Sequence, residues 1–161
     1  MTTTAPRPMT ATEMRRLLQD TTAEQLPELT QALAGQVFPD EENGTLTVAE
    51  VADLIGVSAH TLRYYERIGL VQVARDAHGY RCYDREAVGR ILFISRLRMS
   101  DMPIRDIKRY VDLVNAGPHT VPERLDLLLR HRDRIREQIA DLAFAEALID
   151  YKITTYGGSC G

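Results

Sequence analysis

Tryptophan is absent from the 161 residues, phenylalanine occurs three times, and only two cysteines are present, Cys82 and Cys160. Two thiols with no CxxC spacing and no His/Cys cluster beside them cannot build a disulfide framework or a structural zinc site within one chain. No stretch of about 18 apolar residues occurs, so a membrane-spanning helix is excluded by pattern. The opening MTTTAPRPMT also lacks the apolar core of a secretory signal, and a cytoplasmic location is expected. The histidines at 60, 78, 119 and 131 are scattered, with no nucleophile elbow, phosphate loop or metal-ligand spacing around them. No enzyme, metal site or cofactor is expected.

What is there supports one modest core with an extended element attached, since 44% of the residues are hydrophobic. A net charge of −3 argues, as an average, against a nucleic-acid partner. The average conceals an asymmetry. Residues 1–44 carry 3 basic and 7 acidic side chains, whereas residues 60–109 carry 11 basic and 6 acidic. The positive field therefore belongs to the middle of the chain.

That middle also holds the most informative run. TLRYYERIGL at 61–70, followed by GYRCY at 79–83, puts arginine and tyrosine on a short helix and again on a hairpin tip. These side chains can hold a DNA backbone and reach base edges. Thr47 with Glu50 forms a capping-box signature, and Val48, Val51, Ala52 and Ile55 supply the inner face of that helix. Gly56 ends it, Ser58 caps the next, and Leu62, Tyr65 and Ile68 point inward before Gly69. Two short helices so close together make a helix-turn-helix. Val71 and Val73 alternate, residues 76–79 supply a turn and Tyr80–Tyr83 returns, a hairpin wing. Asp84 caps a third helix ending near Asp101, and Pro103 opens a fourth that Gly117 and Pro118 close. Tyr65 and Tyr83 read as packing residues, and Arg67 and Arg85 as solvated charges.

From Pro122 to Tyr156 no proline or glycine interrupts. Steps of three and four pick out Leu125, Leu128, Arg132, Ile135, Ile139, Leu142, Glu146, Ile149, Ile153 and Tyr156. This heptad seam of about five repeats is too long to bury against so small a domain, so its expected partner is the same helix of a second copy. The expected organisation is an N-terminal extension at 1–44 with amphipathic helices at 10–20 and 23–37, a DNA-binding domain at 45–118, a dimerisation helix at 119–156 and a tail at 157–161. The fold class is mainly α, a winged helix-turn-helix with a long C-terminal coiled-coil helix.

The succession LTVAEVADLIGVSAHTLRYYERIGL, GYRCYDREAV, the MPIRDI helix and the terminal coiled coil resembles the MerR family of bacterial transcription regulators over roughly residues 45–156. The resemblance implies an antiparallel coiled-coil homodimer that binds an inverted repeat in double-stranded promoter DNA and twists it for RNA polymerase. It places His60, Thr61, Arg63 and Tyr64 on the recognition helix, with Arg63 at the principal contact position. Arg75, His78, Tyr80 and Arg81 match wing positions that grip phosphate, and Arg98 matches the second wing. Asp101 departs from the pattern, which commonly has glycine at that join.

No drug-binding domain is expected after the coiled coil. Metal-sensing relatives have cysteine at the start of the dimerisation helix, where AGPHTVPER offers only His119, so metal sensing is not expected. The coiled-coil segment looks most like the stress-response branch that answers aldehydes or thiol-reactive electrophiles. That branch often has a cysteine after a Phe-Ile pair in the third helix; here Phe93 and Ile94 precede Ser95 and Arg96, and the inducer stays unassigned. Cys82 reads as structural or incidental, and Cys160 in its GGSCG tail is a candidate redox thiol. The competing function is an architectural or anti-activator protein, with residues 1–44 engaging a protein partner.

Overall fold

The computed structural model describes residues 44–159, together with Glu13 and Arg16. The helix expected at 23–37 and Cys160 lie outside the described residues, and of the helix expected at 10–20 only Glu13 and Arg16 are described, both helical. The chain divides into two compact units, Met1–Met99 and Ser100–Gly161.

The first unit begins with helix α1, Val48–Ile55. Both halves of its capping box form: the Glu50 amide donates to Thr47 Oγ1 at 3.3 Å and the Thr47 amide to Glu50 Oε2 at 2.7 Å. Gly56, at φ +79°, closes it in the left-handed region where a side chain would be strained. Its amide and that of Val57 both donate to the Ala52 carbonyl. Helix α2, Ala59–Arg67, starts at Ser58, whose hydroxyl accepts from the Thr61 amide at 3.0 Å. The two helices are thus joined by three residues, each end closed by local hydrogen bonds, which fixes a helix-turn-helix.

Leu70 and Val71 go into the core instead of starting the strand that the Val71/Val73 alternation suggests. The hairpin begins later, with β1 at Ala74–Arg75 and β2 at Arg81–Cys82, antiparallel with Ala74 opposite Cys82. At its turn Asp76 Oδ1 accepts from the amides of His78 and Tyr80. Leu46 adds an isolated bridge, exchanging backbone hydrogen bonds of 2.8 and 2.9 Å with Tyr83. Helix α3, Arg85–Met99, is capped by Asp84 Oδ1, which accepts from the Ala87 amide. The core of this unit gathers Val51, Leu62, Tyr65, Tyr83, Ile91 and Ile94, as the inward spacing requires. Truncating one of its fully buried aliphatics, such as Leu62, to alanine costs about 2–5 kcal/mol.

In the second unit Asp101 stands at φ +62°, adopting the left-handed backbone that glycine takes more easily. Pro103 caps helix α4, Ile104–Ala116, from just outside it. A short 3₁₀ turn, Pro118–Thr120, leads into helix α5, Val121–Thr155. Helix α4 packs on the first turns of α5 through Ile107, Val111 and Leu127. His131 is buried here, with Nε2 2.8 Å from Ser100 Oγ and Nδ1 without a partner among the described residues. Buried N–H groups are rarely left unpaired, which favours the neutral tautomer with Nδ1 unprotonated and Nε2 donating to Ser100 Oγ.

Candidate nucleic-acid interface

Helix α2 is amphipathic in a way that sorts its residues by task. Leu62 and Tyr65 are buried, while His60 and Arg63 are exposed and Thr61 and Tyr64 are half-buried. A nine-residue helix with its apolar side pinned to a core presents the other side rigidly, as base reading requires. Arg67, which reads from sequence as a solvated charge, lies with its guanidinium carbon 5.5 Å from the centre of the Tyr64 ring. This cation–π contact orients Tyr64, and the i,i+3 spacing already contained it.

The hairpin carries the second set. Arg75, His78 and Tyr80 are exposed, Tyr80 to 72%, and Arg81 is half-buried. Arg75 Nη1 donates to the Gly79 carbonyl at 3.1 Å, which holds the arginine along the turn. The residue that sequence reasoning missed is Glu66. Its carboxylate accepts from Arg81 Nε at 2.5 Å and stands 3.7 Å from Arg75 Nη2, so one acid on α2 holds two arginines of the hairpin. No local spacing signals a pair fifteen residues apart.

Arg98 is exposed near the end of α3. Its charge reaches the Tyr65 phenol, whose ionisation is pushed up chiefly by burial and opposed by Arg98 and a hydrogen bond with Ser95. Tyr83, fully buried, is pushed up likewise, by burial and then by Glu66, and its hydroxyl has no partner among the described residues. Both tyrosines are packing residues. Ser95, where the resemblance looks for a reactive thiol, is buried and donates to the Ile91 carbonyl at 2.7 Å. Cys82 is half-buried, its sulfur 3.6 Å from the Tyr80 carbonyl oxygen. Among the described residues no group of three His, Cys, Asp or Glu is placed to hold a metal ion. Nor is any described helix long and apolar enough to cross a membrane.

The seam residues of α5 differ along its length. Leu128 and Ile135 are half-buried, whereas Leu125, Ile153 and Tyr156 are exposed with the charged Arg132 and Glu146. Ile139, Leu142 and Ile149 are 61, 70 and 59% exposed and line a shallow groove with Glu146. No described residue covers that groove.

This combination of a helix-turn-helix, a short basic hairpin and a long terminal helix defines a class of DNA-binding regulators. Residues 46–113 match the family described as MerR HTH family regulatory protein, and residues 88–150 match MerR, DNA binding. An HTH-type transcriptional regulator of Haemophilus influenzae is 34% identical over 113 residues, covering 70% of this chain and 84% of that one. The regulator AdhR of Bacillus subtilis is 39% identical over 93 residues, 57% of this chain and 66% of its own. Among solved structures, HiNmlR, a MerR family regulator lacking the sensor domain and bound to promoter DNA, superposes with a TM-score of 0.65 at 34% identity, over 70% of this chain and 90% of that one. A MerR family regulator of Bacillus thuringiensis gives 0.64 at 28% identity, over 70% and 99%. The chain belongs to the MerR family. It is a transcriptional regulator and not an enzyme.

Proposed function

We propose that the chain acts as a homodimer that binds an inverted repeat in promoter DNA and distorts it to control RNA polymerase. The observation that carries this is the exposed apolar seam of α5. Thirty-five residues of unbroken helix span about 52 Å at 1.5 Å per residue. Isolated from a partner, such a helix leaves Ile139, Leu142 and Ile149 in water. Burying an aliphatic of this size is worth about 1.5–3 kcal/mol, and a second α5 running antiparallel would cover all three in both copies. The pairing would bring two α2 helices to one operator, matching half-sites related by two-fold symmetry.

On each half-site, α2 would read base edges with Arg63, supported by His60, Thr61 and Tyr64. The hairpin would hold phosphate through Arg75, His78, Tyr80 and Arg81, with Arg98 adding a further grip on the backbone. Bending or untwisting DNA between half-sites costs on the order of 1–6 kcal/mol, within reach of two such sets of interactions. A regulator of bacterial promoters would work in the cytoplasm, where the basic stretch at residues 60–109 would meet DNA.

Sedimentation of the purified protein together with footprinting of a selected operator, with and without polymerase, tests the reading. A dimer protecting two symmetric half-sites, with cleavage enhanced at the centre between them, is the expected result. A monomer at micromolar concentration, or protection of a single half-site with no central enhancement, overturns it.

A further inference from the structure

The second unit holds a cavity of about 240 Å³ lined by Arg105, Asp106 and Arg109 of α4 and by Leu127, Arg130 and Arg134 of α5. Four arginines and one aspartate line it, the arginine side chains half or more exposed. Each pair of arginines is one helical turn apart on its own helix, and the shared lining and the Asp106–Arg134 pair bring the two stripes to one cavity.

The acids present answer this charge incompletely. Asp106 lies 3.7 Å from Arg105 Nε and 3.8 Å from Arg134 Nη2, both beyond the roughly 2.7–2.9 Å of a charge-assisted hydrogen bond. Arg109 Nη2 donates to Glu123 at 2.5 Å and Arg130 Nη2 to Asp126 at 2.8 Å, but neither acid lines the cavity. Setting Asp106, Glu123 and Asp126 against the four arginines leaves one cation in excess. A guanidinium has five donors, and the ion pairs named engage one nitrogen of each.

Beside this cavity His131 is buried and feels the charges of two lining residues, Arg134 and Asp106. The planar forks of arginine match the oxygens of phosphate or carboxylate, and the volume falls below the roughly 300 Å³ at which pockets take drug-sized ligands. We propose that this cavity is an oxyanion site for a phosphate group, held between Arg105 and Arg109 on α4 and Arg130 and Arg134 on α5. An occupant there clamps α4 to the root of the dimerisation helix. The group can come from free inorganic phosphate or from the DNA backbone.

Two measurements on the full-length protein separate these sources. In the first, Tm is followed as inorganic phosphate replaces chloride at constant ionic strength; at ten times the dissociation constant the expected rise is about 3–6 °C. The paired substitution Arg130→Gln/Arg134→Gln removes that rise. Arg105→Gln, whose side chain is 85% exposed and ion-paired only at 3.7 Å, reduces it without threatening the fold. This readout needs no DNA, so it stands or falls separately from the regulatory reading.

In the second, the salt dependence of operator binding is compared for wild type and the paired variant. If backbone phosphate is the occupant, the slope of log affinity against log salt falls by about 0.9 for each phosphate no longer neutralised. A phosphate-specific rise that disappears in the variants assigns the site to a free oxyanion, and a reduced slope assigns it to DNA; both uphold the site. A rise no larger than with chloride together with an unchanged slope overturns the proposal. So does a phosphate effect that both variants retain in full.

Discussion

Arg81 of the hairpin donates to Glu66 of helix α2 at 2.5 Å, and both side chains are about three-quarters shielded from solvent. A negative charge on the helix expected to face DNA looks unfavourable in isolation. Its effect is to hold the hairpin against the helix, with Arg75 at 3.7 Å as a second anchor. Glu66→Gln therefore changes two things of opposite sign. Less negative charge strengthens attraction to any duplex, while a looser hairpin weakens the fit to the correct one. The positioning loss is about 1 kcal/mol, so the ratio of operator to non-specific affinity should drop about fivefold. Fluorescence anisotropy on operator and scrambled duplexes reads this ratio, and an unchanged ratio would show that the pair positions nothing.

Arg63 is exposed on α2 with no apolar duty. Arg63→Ala should cost about 1–3 kcal/mol on the intact operator and almost nothing further once its partner base pair is changed. A loss that is the same on every operator variant would place Arg63 on phosphate instead.

Arg132 and Glu146 lie seven residues either side of Ile139 in the seam, and both are exposed in the single chain. Antiparallel helices crossing at Ile139 would bring Arg132 of one copy to Glu146 of the other, twice per dimer, setting register at little net stability. Arg132→Glu or Glu146→Arg alone should weaken the dimer about tenfold by sedimentation equilibrium. The double reversal should restore it. Equal weakening in all three variants would refute the pairing.

Asp101 adopts φ +62° at the join before α4. A β-branched residue there meets the full cost of the left-handed region, so Asp101→Val should lower stability by about 1–2 kcal/mol. Asp101→Gly should stay within about 0.5 kcal/mol of wild type, because easier backbone geometry is offset by a freer unfolded chain. Thermal denaturation of the pair checks the order, and a Val variant as stable as the Gly variant would contradict it.

Burial pushes the His131 imidazole below its usual value of 6.5, Arg134 adds to the shift, and Asp106 opposes it. A group with a depressed folded value stabilises the fold fully above its unfolded value, and the contribution fades as pH falls from about 6.5 toward the folded value. Tm should thus decline on acidification from pH 7 to about 5.5. His131→Gln should be less stable at pH 7 by about 1–3 kcal/mol but flatter across that window. Parallel wild-type and variant curves would assign the decline to other groups.

The features legible in the sequence are those whose physics is local. The Thr47–Glu50 box, the Ser58 cap and the Asp84 cap each join residues three apart, and all three form. The buried faces of α1 and α2 follow from helical period, which brings Val51, Ile55, Leu62 and Tyr65 inward. The hairpin starts later than the Val71/Val73 alternation suggests because burial of Leu70 and Val71 claims the residues that alternation would spend on a strand. Glu66 was illegible as the link between helix and hairpin, since only the closed fold brings it to Arg81. The arginine cavity was half legible: Arg105 with Arg109 and Arg130 with Arg134 each show a helical stripe, but nothing local says that the stripes meet.

Leu46 is sewn to Tyr83 by two backbone hydrogen bonds, so the chain enters the first unit along the hairpin's returning strand. Residues 1–44, with seven carboxylates against three basic groups, therefore join the described chain beside the returning strand that carries Arg81. Their local concentration at the wing is set by chain length and owes nothing to how much protein a cell makes. Trimming or lengthening that segment would show whether it acts on the hairpin, without altering any residue expected to touch DNA.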